Sequence, residues 1–167
     1  CGVLEDVTAR RIKRIVINLP PATGKSTLIE VIWPAWQWIR DRAHSWMFCS
    51  YDVSMLNREA ARLIRLLNSA WFVERWGRVL ESGSPAVTKF DTLAGGLRFN
   101  TTFRGKATGW HSRTQVFDDP IKARDANGNA LVSMSAITEA IEGISQTFMS
   151  RIAGDPDQFA RVINMQR

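Results

Sequence analysis

A chain of 167 residues, 45% hydrophobic and 23% charged, is long enough to enclose one real core and is of ordinary globular composition. Two cysteines and two histidines exclude a disulfide framework and a zinc cluster, and no apolar run reaches the length of a membrane span. The net charge is +6, and 17 of the 22 basic residues are arginines, which suits a polyanionic partner bound through planar phosphate contacts.

The opening CGVLEDVTARR has no basic segment followed by an apolar one, so no signal peptide is expected. With no initiator Met, residues 1–167 read as one domain cut from a longer protein, in a reducing intracellular setting. RIVINL (14–19) is a short apolar run bounded by basic residues and prolines, a buried strand. From Lys25 to Ile39 the pattern turns helical and is apolar nearly all round, predicting a core helix bent or broken at Pro34. SWMFCSY (45–51) reads as a second strand. Asp52 or Ser54 caps the helix that follows. That helix puts Leu56, Ala60, Leu63, Ile64 and Leu67 on one side and Arg58, Arg62 and Arg65 on the other. SAWFVERWG (69–77) is a short helix ending at Gly77.

The texture then changes. VTKFDTLAGGLRFNTTF (87–103) alternates about Gly95-Gly96 and reads as a β-hairpin, an addition to the sheet or its edge. RGKATGWHSR (104–113) is a polar loop, TQVFDDP (114–120) a strand stopped by two aspartates and a proline, and DANGNA (125–130) a turn. Ile137, Ile141, Ile144 and Phe148 mark a helical face between Val132 and Ile152, and ARVINMQR (160–167) is a last strand. Strands alternating with helices predict an α/β fold with a mainly parallel sheet. His44 and His111 read as surface or capping residues, and the tryptophans mostly as core.

Chemistry concentrates in NLPPATGKST (18–27). It ends like the phosphate-binding pattern G-x-x-x-x-G-K-[ST], but Leu19 stands where the first glycine belongs, followed by two prolines. Such loops aim backbone N–H groups at phosphate oxygens from the positive end of a helix. Prolines cannot donate, yet Pro20 and Pro21 fall at the start of the loop. Ala22, Thr23, Gly24, Lys25 and Ser26 keep their amides. Pro21 to Thr27 are therefore the candidate nucleotide-binding residues. Lys25 would reach the β- and γ-phosphates of ATP, and the Ser26 hydroxyl would meet Mg2+. The competing reading is a helix N-terminus with an ordinary lysine.

TQVFDDP supplies the second motif. Two carboxylates at the end of a buried strand are costly unless a metal compensates them. Asp118 is the candidate Mg2+ holder, and Asp119 the residue that orients or deprotonates attacking water. The alternative is a solvated Asp-Asp-Pro turn. Gln166, at the end of the last strand, is a candidate γ-phosphate sensor, or simply marks a strand reaching the surface. Arg104 is the candidate for stabilising transition-state charge, with Arg113 a second. Arg58, Arg62 and Arg65 are candidate contacts to a DNA backbone, or simply a solvated helix face.

Taken in order, RIVINLPPATGKST, WPAWQWI, CSYDVSMLNREAARLIRLLNS, GGLRFNTTFRGKATGWHSRTQVFDDPIKARDA and VINMQR resemble the ATPase domain of tailed-phage terminase large subunits over nearly the whole chain. The Pro-Pro lead-in and Asp-Asp-Pro-Ile-Lys are the most specific parts. The resemblance implies a P-loop NTPase fold of the additional-strand type. It makes Lys25 and Ser26 the Walker A residues, Asp118 the Walker B aspartate, Asp119 the catalytic carboxylate, Thr108-Gly109 the Thr-Gly loop and Met165-Gln166-Arg167 the coupling segment. It also implies an ATP- and Mg2+-dependent motor that drives double-stranded DNA into a procapsid. Such a motor works as a homo-oligomeric ring with portal protein and small terminase subunit, at the portal vertex in the host cytoplasm. The nuclease domain of such proteins would lie after Arg167. Ala22 stands where many members carry Arg. Two other readings stay open: a superfamily-2-like helicase or translocase core, and a non-catalytic basic DNA-binding fragment with a degenerate loop.

Overall fold

The computed structural model describes residues 2–81, 83, 85–103, 105, 109–120 and 134–166. Cys1, Arg104, Thr108, the 125–130 turn and Arg167 therefore lie outside the described residues. The elements run in this order: α1 (Gly2–Thr8), β1 (Arg14–Leu19), α2 (Lys25–Thr27), a π-helical segment (Leu28–Ile32), α3 (Trp33–Arg40), β2 (Ser45–Ser50), α4 (Val53–Leu67) and α5 (Ala70–Trp76). Then come β3 (Lys89–Asp91), β4 (Leu97–Thr102), β5 (Thr114–Asp118), α6 (Met134–Glu142), a second π segment (Gly143–Phe148) and β6 (Ala160–Gln166). The short α1 was not expected from the sequence. It docks through Leu4 and Val7, and its Thr8 hydroxyl accepts a hydrogen bond from the Trp33 indole.

The strands form one sheet in the order β1-β6-β5-β2-β4-β3. All pairs are parallel except β3–β4 at the far edge, which is the predicted hairpin. Gly96 is obligatory there: a Cβ would sit 2.4 Å from the Arg42 carbonyl oxygen and 2.8 Å from that of His44. The last strand in sequence, β6, lies between the first, β1, and the strand that ends in the two aspartates, β5. The five mutually parallel strands thus end on the same side of the sheet, where crevices of open α/β sheets form.

The edge strand β1, expected to be buried, has no buried residue, and its Val16 is 61% exposed. Both faces of the inner strands are covered, as parallel strands require. Alternate residues of β2 divide between them. Trp46 and Phe48 face the larger core with Ile29, Trp33, Trp38, Leu56, Leu63 and Leu67, while Met47 and Cys49 face Phe117 and Phe148. The predicted α4 is capped as expected, with the Asp52 carboxylate accepting from the Ser54 amide. Trp33, Trp38 and Trp46 are core residues, whereas Trp71 is half exposed.

Two further expectations are corrected. The helix from Lys25 is not broken at Pro34. It passes through Leu28–Ile32 with π winding, in which the Trp33 N–H bonds the Leu28 carbonyl, and continues to Arg40. Pro34 has no N–H to return to the Glu30 carbonyl one turn back. That carbonyl is taken instead by the Arg98 guanidinium at 2.6 Å. His44, expected at the surface, is 1% exposed. Its imidazole meets the Thr114 hydroxyl at 2.9 Å and the Gln37 amide at 3.5 Å. Burial, with Arg10 and Arg113 nearby, lowers its pKa to about 3, so it is a neutral core group.

Candidate functional site

β1 delivers the chain into residues 20–24, and the helix begins at Lys25. The turn is built from left-handed backbone at Ala22 (φ 62°) and Gly24 (φ 76°). The Thr23 hydroxyl donates to the Pro20 carbonyl at 2.9 Å and closes the loop on itself. Pro20, Pro21, Ala22, Thr23, Gly24 and Thr27 are exposed, and Ser26 is half-buried. Lys25 is different. Its side chain is 5% exposed, and its ammonium makes no hydrogen bond among the described residues.

That ammonium points across to the end of β5. Lys25 Nζ lies 3.5 Å from Asp119 Oδ1. Asp119 also carries a left-handed φ of 41°, and its amide donates to the Asn164 carbonyl at 2.8 Å. Left-handed backbone at a non-glycine residue is strained and persists only where the surroundings enforce it. Here β6 enforces it.

Asp118 is inside, 6% exposed. Its register partners are Asn164 on β6 and Ser50 on β2, and the Asn164 side-chain amide donates to its carboxylate. Burial raises the Asp118 pKa and the Asp119 charge adds to this; hydrogen bonding with Glu30 and Asn164 and the Lys25 charge oppose it. Glu30, from the π segment, is 1% exposed. Burial first, then Asp118, push its pKa well above the usual carboxylate range. Tyr51, just past β2, is raised by burial and then by the charges of Asp52, Asp119 and Asp118.

The structure thus brings Lys25, Asp118 and Asp119 together, as the motifs predict. Gln166 ends β6 opposite Leu19, beside the loop. Arg113 goes elsewhere. It precedes β5, roughly 15 Å along the strand from Asp118, and its guanidinium pairs with Asp41 at 2.6 Å. It therefore cannot serve this end of the sheet. The arginine stripe is divided: Arg58 and Arg62 each lie 3.0 Å from the buried Glu59 carboxylate, while Arg65 makes no ion pair among the described residues. Sequence reading missed Glu30, Asn164 and Arg98. The signals were a lone acid in an apolar helix and polar residues inside strands.

The donor set can be tested against a divalent ion. Among the described residues no three or more His, Cys, Asp or Glu side chains cluster as a metal cage. Mg2+ does not ask for one, since it binds through one or two carboxylates together with substrate phosphates. A buried carboxylate, a hydroxyl at the head of the helix and an ammonium without a hydrogen bond suit a phosphate-bound Mg2+.

No family model and no curated protein matches the chain. Among solved structures it is similar to the bacteriophage Phi-29 viral genome packaging motor assembly. The TM-score is 0.51 at 15% identity, over 96% of this chain and 45% of that one. The chain therefore spans less than half the length of the structure it matches, and the likeness is one of fold. No described helix is long and apolar enough to cross a membrane.

Proposed function

We propose that the chain is the ATP-hydrolysing motor domain of a DNA-packaging terminase. In this proposal residues 1–167 are one P-loop ATPase domain of the additional-strand type, and nuclease activity belongs to another domain. The observation that carries it is the meeting of Lys25 with Asp119 at the C-terminal ends of β1 and β5, with β6 inserted between them. The sequence resemblance and the packaging-motor fold likeness, arrived at separately, favour packaging over a helicase core.

In this mechanism the amides of Ala22 to Ser26 hold the β- and γ-phosphates, and Lys25 leaves Asp119 to neutralise them. Ser26 and Asp118 would hold Mg2+, which when bound offsets charge on the phosphates. Asn164 fixes the Asp118 carboxylate. Asp119, released from Lys25, accepts a hydrogen bond from the attacking water and orients it. Gln166, on the strand between the two motifs, carries the state of the phosphate into β6. Arg104 stabilises transition-state charge. Double-stranded DNA is the translocated substrate, in a ring with portal and small subunit at the procapsid of the host cytoplasm.

ATP turnover by the purified chain, by Lys25→Ala and by Asp119→Asn tests the reading. Loss of turnover in both variants is expected; unchanged turnover in both sinks it.

A further inference from the structure

At the end of the sheet away from the two aspartates lies a surface that hydrolysis does not use. β2 starts there at Ser45 and ends at Ser50, the register partner of Asp118, so roughly 17 Å of strand separates the two ends. Trp71, on α5, is 52% exposed. Its ring stands 4.9 Å from that of Trp76, edge to face, and the Arg75 guanidinium lies 5.0 Å from its centroid. Arg75 is steadied by donating to the Trp71 carbonyl at 3.1 Å. Just before β2, Arg40 ends α3 with its guanidinium 4.9 Å over the Trp36 ring. Arg42 ties the two pieces together. Its Nη1 donates to the Arg78 carbonyl at 3.1 Å, and its Nη2 to the Trp76 carbonyl. Arg40 and Arg78 are thereby brought to one corner.

Charge decides what this corner fits. Arg40, Arg75 and Arg78 are exposed, and neither they nor Arg42 make an ion pair among the described residues. Asp41, the carboxylate between Arg40 and Arg42, is engaged by Arg113 at 2.6 Å and by the Ala43 amide at 3.1 Å. Glu74 and Glu81 are exposed on the same stretch and leave the balance positive. The α4 stripe is poorer, because Arg58 and Arg62 are neutralised by Glu59. Packing does not explain Trp71 either, since α5 docks through Phe72. A second copy of this chain would set like charges against each other. Single-stranded nucleic acid uses both features: its phosphates take guanidiniums, and its unpaired bases stack on aromatic rings.

We propose that this corner binds single-stranded nucleic acid, with phosphates on Arg40, Arg75 and Arg78 and an unpaired base on Trp71. In a duplex the bases are already stacked, so only the arginines would engage it. Neither the chemistry of the corner nor its test requires the nucleotide site.

The test is fluorescence anisotropy with labelled oligothymidylate of about a dozen nucleotides, set against the matching duplex over a range of salt. Trp71→Ala should weaken oligothymidylate at least about fivefold and leave the duplex unchanged. Trp71→Phe should restore most of the loss. Arg78→Ala should weaken both and lower the single-strand salt slope by about 0.7. No loss in Trp71→Ala, or an equal loss on strand and duplex, overturns the proposal. So does a Trp71→Ala chain that binds oligothymidylate normally but loses a self-association seen by sedimentation in wild type. Should Trp71→Ala fail to fold, Arg40→Glu combined with Arg78→Glu, both at exposed positions, should weaken the strand at least about tenfold; unchanged binding overturns the proposal. A chain that binds oligothymidylate as described, yet melts the same with and without ATP·Mg2+, keeps this site and loses the ATPase reading.

Discussion

Lys25 Nζ and Asp119 Oδ1 lie 3.5 Å apart, each at the end of a different parallel strand-to-loop junction. The carboxylate balances the ammonium. In the proposed mechanism a phosphate that took Lys25 would free Asp119 for water, so binding and activation would share one contact. Asp119→Asn should therefore cut steady-state phosphate release by at least about 100-fold while ATP·Mg2+ affinity is retained or increased. Asn tolerates left-handed backbone, so the change isolates the charge. Phosphate release alongside equilibrium binding checks this, and undiminished release removes Asp119 from the mechanism.

Ala22 carries left-handed backbone with a Cβ. That conformation costs roughly 1–2 kcal/mol for a residue other than glycine, and a β-branched side chain makes it worse. Ala22→Val should lower stability by about 1 kcal/mol or more. Ala22→Gly should not lower it, since strain relief offsets the added freedom of the unfolded chain. Urea denaturation of both variants decides the matter; a loop that relaxes out of the left-handed region would tolerate Val.

His44 makes stability depend on pH. Its folded pKa is about 3, against about 6.5 in an unfolded chain. The unfolded state thus binds the extra proton first. The stabilisation is fully present above pH 6.5 and is lost as pH falls toward 3, with a limiting slope of about 1.4 kcal/mol per unit. Denaturation midpoints from pH 7 to 4 should fall less steeply in His44→Gln. Parallel curves for the two proteins would show that the imidazole does not remain neutral in the fold.

The arginines of α4 should behave differently from one another. Arg58 and Arg62 neutralise Glu59, whose side chain is 2% exposed. Replacing both with Ala strands a buried carboxylate, so the pair should cost about 3 kcal/mol of stability. Arg65→Ala should leave stability unchanged and reduce the salt slope of DNA binding by about one. A salt slope that does not move removes Arg65 from the proposed DNA surface.

Local signals in the sequence carried the elements well. Alternation marked the β3–β4 hairpin, the Asp52 cap marked the start of α4, and the run VFDD placed two acids at a strand end. Long-range geometry was not legible. Nothing in ARVINMQ says that β6 slides between β1 and β5, because strand order is set by crossovers rather than by neighbours in sequence. The partners of Asp118 were hidden for the same reason: Asn164 arrives from β6 and Glu30 from a helix. Pro34 looked like a break because the missing hydrogen bond was visible and its substitute, Arg98, was not. His44 looked superficial because its partners, Gln37 and Thr114, are supplied by α3 and β5.

The most direct measurement is the melting temperature of the chain with and without millimolar ATP·Mg2+, in wild type and Lys25→Ala. A ligand at 100 times its dissociation constant adds about 2.7 kcal/mol to the folded state. The wild type should therefore melt several degrees higher with nucleotide, and Lys25→Ala should not respond. A wild-type midpoint indifferent to ATP·Mg2+, or an equal shift in both proteins, would contradict a phosphate site at Lys25.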